Sequence, residues 1–222
     1  MPMIYRLSLL VALCWCAFTG VEAQSLKSKG VSVDDIVPAG WLHTEVIGDL
    51  NKDGIDDLVV VATPDFKENT VTRDDGYVYN FNQPLLAVYF GSADGVFQMW
   101  KQYDEVIPPN ADEFNSVSPT LEITERGVLR ITIEFFSSGG SYYNVTPNYS
   151  YRYQNGDFYL IGMEQHSLRR NTGEMETISE NYLTWKRQVV IDNAFEDAPP
   201  PKEKWSRLPK KPLEKLGDRM LE

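Results

Sequence analysis

Short apolar runs separated by turn residues follow one another along most of this chain. In one run Leu129, Ile131 and Ile133 alternate with Arg130 and Thr132. This is the period-two pattern of a β-strand, in which successive side chains point to opposite faces of a sheet. Such a strand has one face on a core and the other in solvent.

Other runs are apolar at every position. Leu58 to Ala62 is of this kind, and its consecutive β-branched residues predict a strand buried on both faces. Leu85 to Phe90 predicts a second strongly apolar strand. Asn155-Gly156 is the strongest two-residue hairpin signal, because both residue types accept positive φ. The runs predict about ten strands and hardly any helix, and their short connections favour antiparallel pairing. We therefore predict an all-β fold of antiparallel hairpins and meanders, arranged like propeller blades or as two packed sheets.

Changes in composition divide the chain into three parts. Residues 1–23 have the features of a signal peptide, residues 24–196 form one β domain, and residues 197–222 are a tail rich in Pro and Lys. Within the β domain, residues 44–102 are centred on a hairpin with an acidic loop, and residues 119–192 form an antiparallel meander.

The amino-terminal segment predicts export. An apolar run from Leu7 to Phe18 is followed by Val21-Glu22-Ala23, which is typical of a secretory signal cleaved after Ala23. The run is shorter than the ~20 apolar residues of a membrane span. Lipid attachment at a cysteine is the main alternative. We expect a periplasmic or secreted protein with no integral membrane segment in the mature chain.

Charge and cysteine usage exclude several classes of function. The formal net charge is −11, which opposes binding to nucleic acids and anionic membranes. Cys14 and Cys16 both lie in the predicted signal, so the mature chain has no disulfide and no thiolate metal site.

The most specific chemical signal is a loop between two predicted strands. Asp49, Asn51 and Asp53 place oxygen-bearing side chains at alternate positions, Gly54 permits a sharp turn, and Asp57 follows. Carboxylate, amide and carbonyl oxygens are the ligands that Ca²⁺ prefers.

We predict that this loop binds a structural calcium ion. The predicted metal ligands are Asp49, Asn51, Asp53, Ile55 through its backbone carbonyl, and Asp57. An EF-hand is excluded because Val60 occupies the place of its closing Glu and because strands flank the loop. The alternative is a polar turn without an ion, since Asn, Asp and Gly favour turns by themselves.

The loop resembles the calcium loop of FG-GAP and integrin-like (VCBS-type) repeats, which occur in β-propeller blades. The run from Leu86 to Gly91 with Asp94-Gly95 is similar to the strand and turn that accompany such loops. A wider resemblance, through segments such as Val37–Trp41 and Phe158–Gly162, links the chain to a group of small exported bacterial proteins. That resemblance implies export and no particular activity. With one good loop, the chain departs from a full propeller.

Two other patterns invite a functional interpretation. The chain has two histidines, His43 and His166, and His166 with Ser141 or Ser167 would be the basis of a hydrolase triad. Tyr149, Tyr151 and Tyr153 form either an aromatic platform for a ligand or a set of cross-strand core contacts. For both we favour the structural interpretation.

These observations support two functional hypotheses. The first is an exported calcium-binding β protein with a non-enzymatic binding or structural role in the bacterial envelope and a protein or glycan partner. The second is a calcium-dependent hydrolase of envelope or extracellular polymers, which requires ionisable groups to converge in a pocket.

Overall fold

A computed structural model describes residues 25–112, 114–137, 139, 142–195 and 199–222. The predicted signal, residues 1–23, lies outside the described residues. The elements in chain order are β1 Lys29–Gly30, α1 Val33–Ile36, β2 Leu42–Gly48, β3 Asp57–Thr63, a 3-10 turn Lys67–Asn69, β4 Thr70–Thr72, β5 Val78–Asn80, β6 Leu85–Gly91, β7 Phe97–Tyr103, β8 Asn115–Ile123, β9 Val128–Ser137, β10 Tyr143–Gln154, β11 Asp157–Arg169, β12 Glu174–Asn181, β13 Lys186–Asn193 and β14 Lys202–Arg207.

The strands form two main sheets and a small hairpin. The smaller main sheet has five strands in the order β1-β7-β6-β3-β2, and the larger has seven in the order β14-β13-β12-β11-β10-β9-β8. β4 and β5 pair separately. Neighbouring strands are antiparallel in both main sheets. The all-β prediction is confirmed, and of its two arrangements the described residues adopt the packed sheets.

The main core lies between the two sheets. The small sheet contributes Val59, Val61 and Val88, and these pack with Ile131 and Tyr151 of the large sheet. In β9 the predicted alternation is confirmed, because Leu129, Ile131 and Ile133 are buried while Arg130 is exposed. Each sheet therefore buries one face against the other, as in a β-sandwich.

A second core covers the opposite face of the small sheet. Leu58, Val60 and Tyr89 point away from the first core and pack against Leu26 and Ile36 from the segment before β2. β3 is consequently buried on both faces, as its unbroken apolar run predicts.

The long connection between β3 and β6 is ordered by asparagine side chains. Asn82 is 1% exposed, and its amide donates to the carbonyl of Phe66 at 3.0 Å. The amide of Asn80 donates to the carbonyl of Pro64 at 2.7 Å. These bonds hold the β4–β5 hairpin on the sheet, because buried amides are stable only when hydrogen-bonded.

The tail is part of the β structure. β14 extends the large sheet beyond β13, and the chain then returns to the main core, where Leu216 and Leu221 are buried. The backbone N–H of Leu216 donates to the carbonyl of Phe158, and that of Leu221 to the carbonyl of Val106, both at 2.9 Å. In the sequence these two leucines lie in a tail rich in proline and lysine, so the pattern of the tail does not predict their burial.

No helix in the described part of the chain has the length and apolar character needed to cross a membrane.

We predict that replacing Leu216 with Ala lowers the free energy of unfolding by about 2–5 kcal/mol, since the change removes buried methyl groups and leaves a cavity. Leu42→Ala is the matched control, because Leu42 is 67% exposed and should change stability by about 0.5 kcal/mol or less. Urea unfolding followed by tryptophan fluorescence measures both. Equal losses for the two variants would contradict docking of the tail.

Candidate functional site

The acidic loop lies where β2 turns back into β3. Gly48 at the end of β2 pairs with Asp57 at the start of β3, so residues 49–56 form the connection. The loop is at the surface, whereas both strands that hold it belong to the small sheet.

Asp49 organises the first half of the loop through both carboxylate oxygens. Its Oδ1 accepts a hydrogen bond from the backbone N–H of Lys52 at 2.7 Å, and its Oδ2 accepts one from Gly54 at 3.1 Å. The carboxylate thus faces the interior of the turn and satisfies backbone donors that would otherwise need water.

Asn51 and Asp53 repeat this arrangement along the loop. Oδ1 of Asn51 accepts from the N–H of Asp53 at 2.9 Å, and Oδ1 of Asp53 accepts from the N–H of Ile55 at 2.8 Å. The amide nitrogen of Asn51 also donates to Oδ2 of Asp53 at 2.9 Å. Three side chains at alternate positions therefore fold toward the backbone of the loop.

Two residues with positive φ let the chain reverse. Gly54 has φ 85°, as the turn prediction requires, and Lys52 has φ 67°. The left-handed region is costly for a side chain with a Cβ. The bond from Lys52 N–H to Asp49 and the contact of its ammonium with the carbonyl of Glu125 at 3.1 Å help to hold Lys52 there.

Asp57 has a different environment from the other predicted ligands. It is 0% exposed, its Oδ2 accepts from the N–H groups of Leu50 at 2.9 Å and Asn51 at 3.3 Å, and its Oδ1 accepts from Gly91 at 3.0 Å. One carboxylate therefore joins the start of the loop to the end of β6.

Burial raises the pKa of the Asp57 carboxyl, and the negative charge of Asp53 adds to this rise. The hydrogen bonds from Gly91, Leu50 and Asn51 act in the opposite direction, because they stabilise the charged form. The charge of Asp53 is the smallest of these effects on the pKa of Asp57.

Gly91 is the point of closest approach between the loop and β6. A Cβ at this position would lie 2.1 Å from the carbonyl oxygen of Asp56. The glycine is thus required by space and not by a left-handed backbone.

The loop also contacts the large sheet through the turn between β8 and β9. Gly127 in that turn has φ 67°, and a Cβ there would lie 2.7 Å from the carbonyl oxygen of Asp49. Together with the Lys52–Glu125 hydrogen bond, this contact places the loop at the junction of the two sheets.

The donor set suits a hard cation such as Ca²⁺. Asp49, Asn51 and Asp53 present oxygens, and a carboxylate has about four lone-pair sites, so one N–H bond per oxygen leaves capacity for a metal. Asp57 already accepts three hydrogen bonds, which leaves about one site. Among the described residues, no group of three or more His, Cys, Asp or Glu side chains is arranged as a ready-made metal centre. The structure brings the predicted ligands into one loop, with Asp57 turned toward backbone N–H groups.

Among the described residues, His166 does not form the arrangement of a hydrolase triad. Its Nε2 lies 2.9 Å from Oε1 of Glu164, and its Nδ1 lies 3.1 Å from Oγ1 of Thr177. The hydroxyl of Ser179 donates to the other oxygen of Glu164 at 2.9 Å. Ser179 is therefore bonded to the carboxylate and not to the imidazole, whereas a triad places the imidazole between the two. The hydroxyl of the candidate Ser167 accepts from the amide of Gln165 at 3.4 Å. Ser141 lies outside the described residues.

Three tyrosines of β10, namely Tyr149, Tyr151 and Tyr153, belong to the core. Tyr149 and Tyr151 are each 2% exposed between the sheets, and Tyr153 packs against Phe90 at a centroid distance of 5.1 Å. Core packing, the alternative that we favoured, accounts for these rings, so they do not form a ligand platform.

Comparison with known families gives one match. Residues 43–81 match the FG-GAP repeat. The matched segment contains β2, the acidic loop, β3 and the β4–β5 hairpin, and it supports the predicted resemblance to FG-GAP repeats. The match indicates a β-rich protein with a non-enzymatic binding or structural role. Neither a curated protein nor a solved structure is significantly similar to the chain.

Sequence reasoning missed the contacts that position the loop. The match of Asp57 with three backbone N–H groups and the approach of Gly91 to Asp56 depend on how β6 lies beside β3. The Asp-rich pattern identifies the loop but carries no information about these neighbours.

We predict that Asp57→Asn destabilises the protein by about 1–3 kcal/mol, because an amide N–H₂ would face at least one backbone N–H and leave it without an acceptor in a buried site. Asp56→Asn is the matched control, because Asp56 is exposed and, within the described residues, its carboxylate takes no part in the loop's hydrogen bonds. Urea unfolding of both variants measures the difference. A loss for Asp56→Asn as large as that for Asp57→Asn would contradict this role of Asp57.

Proposed function

We propose that this protein is exported and calcium-binding, and that it has a non-enzymatic binding or structural role in the cell envelope. The observation that carries the proposal is the loop of residues 49–57, in which oxygen-bearing side chains follow one another in a segment that matches the FG-GAP repeat.

The side chains of Asp49, Asn51 and Asp53 and the carbonyl of Ile55 would hold the ion. Asp57 orients the loop backbone through its hydrogen bonds and adds negative charge beside Asp53. Calcium would supply charge neutralisation in a loop where carboxylates lie close together. Its role is structural, because the loop fastens β2 to β3 and contacts the turn between β8 and β9.

The acidic character of the chain agrees with this proposal. A formal charge of −11 favours solubility and attraction of divalent cations in a medium outside the cytoplasm. A mature chain without cysteines has no disulfides to stabilise it there, so a metal that binds only the folded state would add to its free energy of unfolding.

We expect calcium to raise the melting temperature of the purified protein. Ca²⁺ at a hundred times its dissociation constant adds about 2.7 kcal/mol, which is roughly 5–10 °C for a chain of this size. Asp49→Ala and Asp53→Ala should lose most of this increase. Thermal unfolding in calcium and in EGTA, with calorimetric titration of each variant, measures the effect.

Asp94→Ala is the matched control for the calcium experiment. Asp94 also lies in an exposed Asp-Gly turn, where its carboxylate accepts from Ser92 at 2.6 Å. This variant should lose some stability but keep the full calcium response. If calcium shifts no protein, or shifts Asp49→Ala and Asp53→Ala as much as wild type, the loop does not bind the ion.

We expect the protein recovered from the cell envelope or medium to begin at Gln24. Signal peptidase cleaves after a small residue that follows an apolar run, and Ala23 meets this requirement. Intact mass and amino-terminal sequencing measure the start. Ala23→Arg should block cleavage, and recovery of an uncleaved wild-type chain would contradict the signal.

A further inference from the structure

The large sheet has a polar outer face, which we define as the face opposite the core between the sheets. Strand register places polar residues of neighbouring strands side by side along this face. One row crosses the sheet from β9 to β14 and consists of Thr132, Asn148, Glu164, Ser179, Gln188 and Trp205. All of its members are polar except Trp205, whose indole ring is largely apolar.

A second row runs beside the first. Its members from β9 to β13 are Arg130, Ser150, Gly162, Asn181 and Lys186. At the centre of the face the side chains are small, because Ser150, Gly162 and Ser179 lie there, whereas Arg130, Lys186 and Trp205 are long and lie toward the sides. This distribution forms a trough.

The trough appears as two shallow cavities of about 510 and 740 Å³. They share the residues Arg130, Ser150, Gly162 and Asn181, so they form one continuous groove. From Arg130 on β9 to Trp205 on β14 the groove crosses five strand spacings, which is roughly 24 Å at ~4.8 Å per spacing. Its length suits a chain ligand of several units.

The groove is less negative than the molecule as a whole, because its lining holds equal numbers of cations and carboxylates: Arg126, Arg130, Arg152 and Lys186 against Glu122, Glu125, Glu164 and Glu180. Three of its carboxylates already have cationic or imidazole partners: Glu122 with Arg130 at 3.2 Å, Glu164 with His166 at 2.9 Å, and Glu180 with Arg187 at 3.5 Å.

Three lining cations have no such partner. Within the described part of the chain, these are Arg126, Arg152 and Lys186, which make no ion pair. Among the lining carboxylates of the same part, Glu125 has no such partner. In a protein of net charge −11, these cations provide a local site for an anionic ligand.

We propose that this groove binds an oligosaccharide of carboxylate-bearing sugars. Amide, hydroxyl and carboxylate side chains lie within one strand spacing of each other, and they match the mixed donors and acceptors of sugar hydroxyls. Trp205 is 58% exposed at the groove's edge and offers an apolar ring face. The guanidinium of Arg152 supplies the forked donor that recognises a carboxylate.

The same features oppose other classes of ligand. The groove lies on a sheet face whose strands are already paired, so a peptide cannot add to it as a strand. The proposal does not depend on calcium binding by the loop.

The test is calorimetric titration of the purified protein with oligogalacturonate and oligomannuronate, with a neutral dextran oligomer and a polyglutamate peptide as comparison ligands. The titrations are made in EDTA, because uronate chains bind calcium themselves, and circular dichroism verifies that the protein is folded under these conditions. We expect binding of at least one uronate and weaker or no binding of dextran and polyglutamate.

Variants locate the site. Arg152→Gln and Trp205→Ala should each weaken uronate binding by about tenfold or more, the factor expected for loss of a charge-assisted contact or a buried ring contact. Lys204→Gln is the matched control, because Lys204 precedes Trp205 on β14 and its side chain points to the opposite face. It should bind like wild type.

Three outcomes would overturn the proposal: no uronate binding by wild type, equal binding of polyglutamate and uronate, or equal losses for Lys204→Gln and Arg152→Gln. Melting curves of each variant distinguish lost binding from lost folding. Failure of calcium to bind the loop would leave these results unchanged, so the two proposals can fail independently.

Discussion

A single buried carboxylate connects the loop to the sheet that carries it. Asp57 is fully enclosed, and the desolvation of its charge is offset by N–H groups from Leu50, Asn51 and Gly91. These donors come from the loop and from the end of β6, so the carboxylate is satisfied only when β2, β3 and β6 are in register. The local conformation of the loop and the pairing of the sheet therefore depend on each other.

The two sheets use their faces differently. The small sheet is covered on both sides, by the large sheet and by the segment that contains α1, and its strands β3 and β6 are almost entirely apolar. The large sheet is covered on one side, and its outer face is free to carry polar and charged residues. This asymmetry assigns the buried contacts to the small sheet and leaves the proposed ligand groove on the large sheet. The small sheet and its loop hold the molecule together, while the outer face of the large sheet offers the surface on which a ligand can lie.

Much of the fold follows from the sequence, because period-two patterns and turn residues act locally. The alternation in β9, the doubly buried run of β3 and the hairpin at Asn155-Gly156 are found as predicted. β14 could not be recognised from Lys202 to Arg207, since its residues are all exposed and charged or polar apart from Trp205. The loop residues were also recognisable, but the partners of Asp57 and the polar rows of the outer face depend on strand register, which a single sequence does not reveal.

The return of the tail to the core affects the timing of folding. Leu216 bonds to the backbone of Phe158 and Leu221 to that of Val106, contacts that span large separations along the chain. The core between the sheets cannot be completed before residue 221 has been synthesised. Folding dominated by such distant contacts is slow, in the millisecond to second range. A nascent chain of this protein thus keeps part of its core open until β14 and the buried leucines of the tail have been made.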